Sequence, residues 1–125
     1  MNEKEGNASG GVYDLENAQA QMRKGFLEFP VLLVIGSEKV YASDIIESLK
    51  KSDLQIVEGT LYPLLSRLKR FGLVSYEWKE SKSGPPRKYY QITAEGTRVL
   101  KELQTSWHAL DATITKLVKN YEKNN

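Results

Sequence analysis

The apolar positions of this chain fall into a few clear periods. After Asp14, whose side chain suits a helix N-cap, Leu15, Ala18, Met22, Phe26, Phe29 and Leu33 recur in steps of three and four, the stripe of a long amphipathic helix. Pro30 falls inside that stripe. A proline there removes one backbone bond and crowds the preceding turn, which predicts a kink near Glu28 or two helical pieces meeting there. Gly36-Ser37-Glu38-Lys39 reads as a turn, and Ser43 as the cap of a second helix carrying Ile45, Ile46 and Leu49. Lys50 and Lys51 suit the negative end of its dipole. A polar link through Ser52 and Asp53 leads to a third helix with Leu61, Leu64, Leu65 and Leu68 on one face, closed by Gly72.

The pattern then changes. Residues 73–79 (LVSYEWK) and 89–93 (YYQIT) are rich in β-branched and aromatic side chains, as strands are, and the Gly-Pro-Pro stretch within 80–86 predicts a loop between them. Thr93 can cap a final helix from about residue 94 to about 122. Its apolar positions Leu100, Leu103, Trp107, Leu110, Ile114, Leu117 and Tyr121 form a coiled-coil-like seam over about three heptads. A seam of that length extends beyond what a compact domain covers, so a second copy of the chain is the expected partner.

Three helices followed by a two-stranded hairpin and a long helix predict a mainly α protein (α+β). The expected fold is a winged helix-turn-helix with a two-stranded wing and a C-terminal dimerisation helix. The expected division is a flexible polar arm at 1–13, the winged helix-turn-helix with its first helix at 14–93, and the dimerisation helix at 94–125.

Composition narrows the function classes. The 125 residues suit one core, and 40% hydrophobic with 27% charged residues is the balance of a folded globular chain. With no cysteine and the single His108, neither a disulfide, a thiolate metal site nor a histidine cluster is expected, and no cofactor is implied. No apolar run approaches the length of a membrane span, and the N-terminus lacks the order of a signal peptide. The expected location is therefore cytoplasmic. Hydrolytic catalysis would need a nucleophile, a base and an orienting group; with its only histidine beside the seam, the chain is not expected to be an enzyme.

The net charge of +2 hides an uneven distribution, because residues 60–90 hold seven Lys or Arg against two Asp or Glu. Opposite its leucine face the third helix presents Thr60, Ser66, Arg67, Lys69 and Arg70, and the wing presents Lys82, Arg87 and Lys88. These are donors to phosphate and base edges, placed where a winged helix meets double-stranded DNA. The competing readings are a solvated helix face, or a winged helix that binds an acidic protein partner.

The same segments resemble a known family. Glu58-Gly59-Thr60-Leu61-Tyr62-Pro63-Leu64-Leu65-Ser66-Arg67-Leu68 with Phe71-Gly72-Leu73-Val74 is similar to the recognition-helix signature of the PadR family of transcriptional regulators. Gly84-Pro85-Pro86-Arg87-Lys88-Tyr89-Tyr90-Gln91-Ile92-Thr93 with Gly96 resembles that family's wing, and residues 24–29 (KGFLEF) its first helix. The resemblance implies a homodimeric repressor on a palindromic operator, with Thr60, Tyr62 and Arg67 contacting DNA from the helix and Arg87 and Lys88 from the wing. Tyr62 has two readings, a phosphate contact through its hydroxyl or a packing residue. The short chain with one C-terminal helix is similar to the smaller subfamily that includes multidrug-binding regulators, in which a tryptophan of the last helix stacks on flat hydrophobic ligands. Trp107 matches that position; the alternative is that it fills the seam. Tyr41-Ala42, where the family often has Tyr-Gly, and Pro30 depart from the pattern.

Overall fold

A computed structural model describes residues 11–125. Most of the 1–13 arm, residues 1–10, thus lies outside the described residues. Five helices and one hairpin follow in the order α1 (Leu15–Lys24), α2 (Glu28–Ser37), α3 (Ala42–Lys51), α4 (Glu58–Arg70), β1 (Val74–Ser81), β2 (Gly84–Ile92) and α5 (Ala94–Asn124). The expected winged helix-turn-helix is present, with α3 and α4 as the helix-turn-helix, β1 and β2 as the wing, and α5 as the long last helix.

The first stripe is two helical pieces meeting just before Glu28, one of the two outcomes expected of Pro30. Asp14 caps α1 by accepting the Asn17 N–H at 3.0 Å, and the chain breaks at 25–27 before α2 begins. Pro30 stands in the first turn of α2, where the backbone N–H groups have no intrahelical acceptor and a missing one costs little. Two expectations need correction. Gly36 and Ser37 belong to the last turn of α2 instead of a turn beyond it. The N-cap of α3 is Tyr41 rather than Ser43, and the Asp44 carboxylate accepts the Tyr41 N–H at 2.9 Å.

The core is built by the inward faces of α2, α3 and α4. Val31, Leu32, Ile35, Ile45, Leu49, Leu61, Leu65 and Leu68 are buried together with Val74 and Tyr90 of the wing and Ile56 of the α3–α4 link. Burying each large aliphatic side chain stabilises the fold by about 1.5–3 kcal/mol, so this cluster fixes how α4 sits relative to the wing. Desolvation raises the pKa of the buried Tyr90 hydroxyl, with Tyr76 and Tyr62 adding to the effect.

The turns on either side of α4 need left-handed backbone. Gly72 has φ 74°, and its neighbour Leu73 donates back to Leu68 O at 3.0 Å. Asp53 has φ 64° without the freedom of glycine, and Leu54 donates to Leu49 O at 2.9 Å in the same pattern.

The wing strands are antiparallel and run further than expected, pairing Val74 with Ile92, Tyr76 with Tyr90 and Trp78 with Lys88. Only Lys82 and Ser83 connect them, so the 80–86 loop is mostly strand. Pro85 and Pro86 are accommodated because the register shifts between Lys79 and Ser81, and the pairing passes from Arg87 to Gly84 without using a proline N–H. A one-residue third strand completes the sheet: Val40 donates to Tyr90 O at 3.0 Å and accepts from Tyr90 N at 2.7 Å.

The long helix is anchored at its root. The Thr93 hydroxyl lies 2.6 Å from Gly72 O and accepts the Gly96 N–H at 2.9 Å. Gly96 is buried so closely that a Cβ would lie 2.0 Å from Leu73 O. Leu100 and Leu103 pack on the core, while Leu110, Ile114, Leu117 and Tyr121 beyond them are exposed.

Candidate nucleic-acid interface

The leucines that hold α4 in the core determine what its other side displays. Leu61, Leu65 and Leu68 point inward, so Gly59, Pro63, Ser66 and Arg70 lie on the opposite face and are exposed. Two flanks border that face. Tyr62 and Lys69 lie on the flank toward the wing: Lys69 sits over the Tyr76 ring at 5.8 Å, and Tyr62 lines a cleft with Trp78, Pro86, Arg87, Lys88 and Tyr90. Thr60 and Arg67 lie on the other flank, toward the α1–α2 break.

The sequence places these cations on one helix; the structure separates their surroundings. Arg67 is hydrogen-bonded and ion-paired to Glu28 at the start of α2, and its guanidinium lies 5.3 Å from the Phe71 ring centre. Arg70 approaches the same ring at 5.3 Å from its own position. Thr60 and Ser66 are exposed.

In the wing, alternation puts Tyr76, Trp78, Lys88 and Tyr90 on one face and Arg87 with Tyr89 on the other. Lys88 is half-buried, its ammonium 4.7 Å from the Tyr76 ring centre and 5.5 Å from that of Trp78. Arg87 donates to Ser43 Oγ at 2.6 Å and lies 4.0 Å over Tyr41, which in turn packs on Tyr89 at 4.7 Å. The wing is thereby tied to the first turn of α3. Lys82 stands exposed at the hairpin turn.

The cleft between the start of α3, the first turns of α4 and the wing has a volume of about 440 Å³, with aromatic walls and cationic edges. Tyr41, Ser43 and Trp78, absent from the sequence-derived set, belong to it. Trp78 is 62% exposed, a large aromatic that the chain itself leaves uncovered. Ser43 meets Arg87 across 44 positions of sequence and Tyr41 stacks under the same guanidinium, contacts that no local pattern carries.

The chemistry available here is donation to anions and stacking. Among the described residues no group of His, Asp and Glu is placed to hold a metal ion, and no helix is long and apolar enough to cross a membrane.

A family model described as the transcriptional regulator PadR-like family matches residues 31–102, from the core of α2 through the root of α5. The chain belongs to this family. PadR-like relatives of known structure agree with the assignment. The X-ray structure of a PadR-like transcription factor from Bacteroides fragilis is 53% identical, covering 81% of this chain and 98% of that one, with a TM-score of 0.69. A PadR family transcriptional regulator from Eggerthella lenta is 38% identical over 83% of this chain and 88% of its own, with a TM-score of 0.71. A protein of unassigned function from Lysinibacillus sphaericus is 28% identical over 102 residues, 79% of this chain and 94% of its own. PadR-type regulators bind DNA.

Proposed function

We propose that this PadR-family chain is a homodimeric, sequence-specific repressor that binds a palindromic operator. The observation that carries the reading is the exposed polar face of α4 standing beside a cationic wing held to it by a shared core. Gly59, Ser66 and Arg70 face the major groove, with Thr60 and Arg67 at one edge and Tyr62 and Lys69 at the other. Lys82, Arg87 and Lys88 meet the adjoining backbone.

The residues fall into a DNA-binding unit at 14–93 and a dimerisation helix at 94–125. Trp107, Leu110, Ile114, Leu117 and Tyr121 meet the same face of a second copy, while Leu100 and Leu103 serve the chain's own core. The wild-type chain resembles the subfamily with one C-terminal helix. Trp107 touches Phe26 edge-on with ring centres 5.6 Å apart, and 36% of its surface stays uncovered. That exposed indole is where a flat hydrophobic inducer would stack at the dimer centre.

The test is fluorescence anisotropy with duplex DNA from upstream of the protein's own gene, against a scrambled duplex, over a range of salt. Salt-sensitive binding that prefers the native duplex is expected. Lys88→Ala and Arg87→Ala should each lower the salt slope by about one, and Arg67→Ala should also relax sequence preference. Weak binding that treats both duplexes alike at every salt would overturn the operator reading.

A further inference from the structure

A cavity of about 830 Å³ lies on the flank of α4 that faces away from the wing. It is walled by the last turn of α1, the end of α3 and the α3–α4 link. Arg23, Lys24 and Lys50 bring three cations to it, Asp53 brings the one carboxylate, and Gln55 and Thr60 add polar groups. None of the three cations is in an ion pair among the described residues. Three like charges at one cleft repel each other, and the core packing around Ile56 and Leu61 does not require them.

We propose that this cleft is a second phosphate-binding surface, which grips the DNA strand on the far side of the groove from the wing. The inference rests on the DNA-binding reading of α4. An α-helix with its side chains is about 10–12 Å across and the major groove is about 12 Å wide, so a helix seated in the groove has a phosphate backbone along each flank. The wing supplies Lys82, Arg87 and Lys88 to one backbone. On the other flank, Thr60 lies at the border between the base-facing side of α4 and the cleft, and Lys50, Arg23 and Lys24 stand behind it. Asp53 opposes them, and its left-handed backbone is a conformation that asparagine shares.

The test uses the full chain and the same two duplexes. Lys50→Ala and the double variant Arg23→Ala/Lys24→Ala are expected to weaken native and scrambled duplexes alike, lowering the salt slope by about one for each cation that meets a phosphate. Asp53→Asn is expected to tighten both. Sedimentation and thermal melting show whether each variant keeps the assembly and stability of the wild type. If the wild type binds with a steep salt slope and all three variants match it in slope and affinity, the second surface is refuted and the DNA-binding reading stands. The surface is refuted equally if the losses track a change in assembly instead of salt. Absence of salt-dependent binding by the wild type would instead refute the DNA-binding reading itself.

Discussion

Glu28 holds Arg67 at the edge of the α4 face, in competition with any phosphate that approaches the same guanidinium. The pair is partly exposed, so it contributes at most about 1 kcal/mol to stability. Its larger effect is on charge. Glu28→Gln should leave thermal stability within about 1 kcal/mol of wild type while tightening duplex binding and steepening its salt dependence, read by anisotropy. Gly96 is sensitive for a steric reason. A Cβ there would overlap the Leu73 carbonyl, and the Thr93 cap bonds leave the backbone little room to retreat. Gly96→Ala should therefore destabilise by about 1–3 kcal/mol, the usual cost of overpacking, measured by urea denaturation. Gly59, by contrast, sits in the first turn of α4 with open space where a Cβ would go.

At the level of elements, the three-and-four spacing of apolar residues identifies α3, α4 and α5 correctly, because each gathers its apolar side chains on one face, buried in α3 and α4 and packed on the core only near the root of α5. The features that spacing missed have particular causes. Val40 pairs with Tyr90 as a single residue, too short to show any period. Pro85 and Pro86 look like loop residues, and only the register shift opposite them allows a strand. The exposed side of α4 could be read from its leucines, but which flank faces the wing depends on how the whole core is assembled. That is why Tyr62 and Arg67, five positions apart on one helix, belong to different surroundings. The α1–α2 break was legible by contrast: Pro30 points to an interruption near Glu28, and α2 begins at Glu28. Since Pro30 occupies a first-turn position, Pro30→Ala should change stability by less than about 1 kcal/mol, whereas a proline in a helix interior costs about 3. Denaturant titration followed by circular dichroism reads the difference.

For the whole molecule, the dominant feature is the apolar face that α5 carries out into solvent. A lone chain leaves Leu110, Ile114, Leu117 and Tyr121 half or more exposed along it. Leu110→Glu places a charge at the centre of that face. Sedimentation should then find monomers, and operator binding should be lost because two half-sites are no longer engaged together. A dimer that persists in this variant would put the interface elsewhere.

The firm seating of α5 at Gly96, followed by its long unsupported reach, makes the helix mechanically a lever. About 21 residues beyond Leu103 extend about 32 Å at 1.5 Å per residue, so a tilt of about 5° at Leu103 displaces the far end by about 3 Å. The fulcrum lies close to where Trp107 meets Phe26, next to the break before α2. A wedge of one aromatic ring at that fulcrum would thus be magnified along the arm, and a shift too small to disturb the core would still carry the exposed apolar end of α5 to a new position.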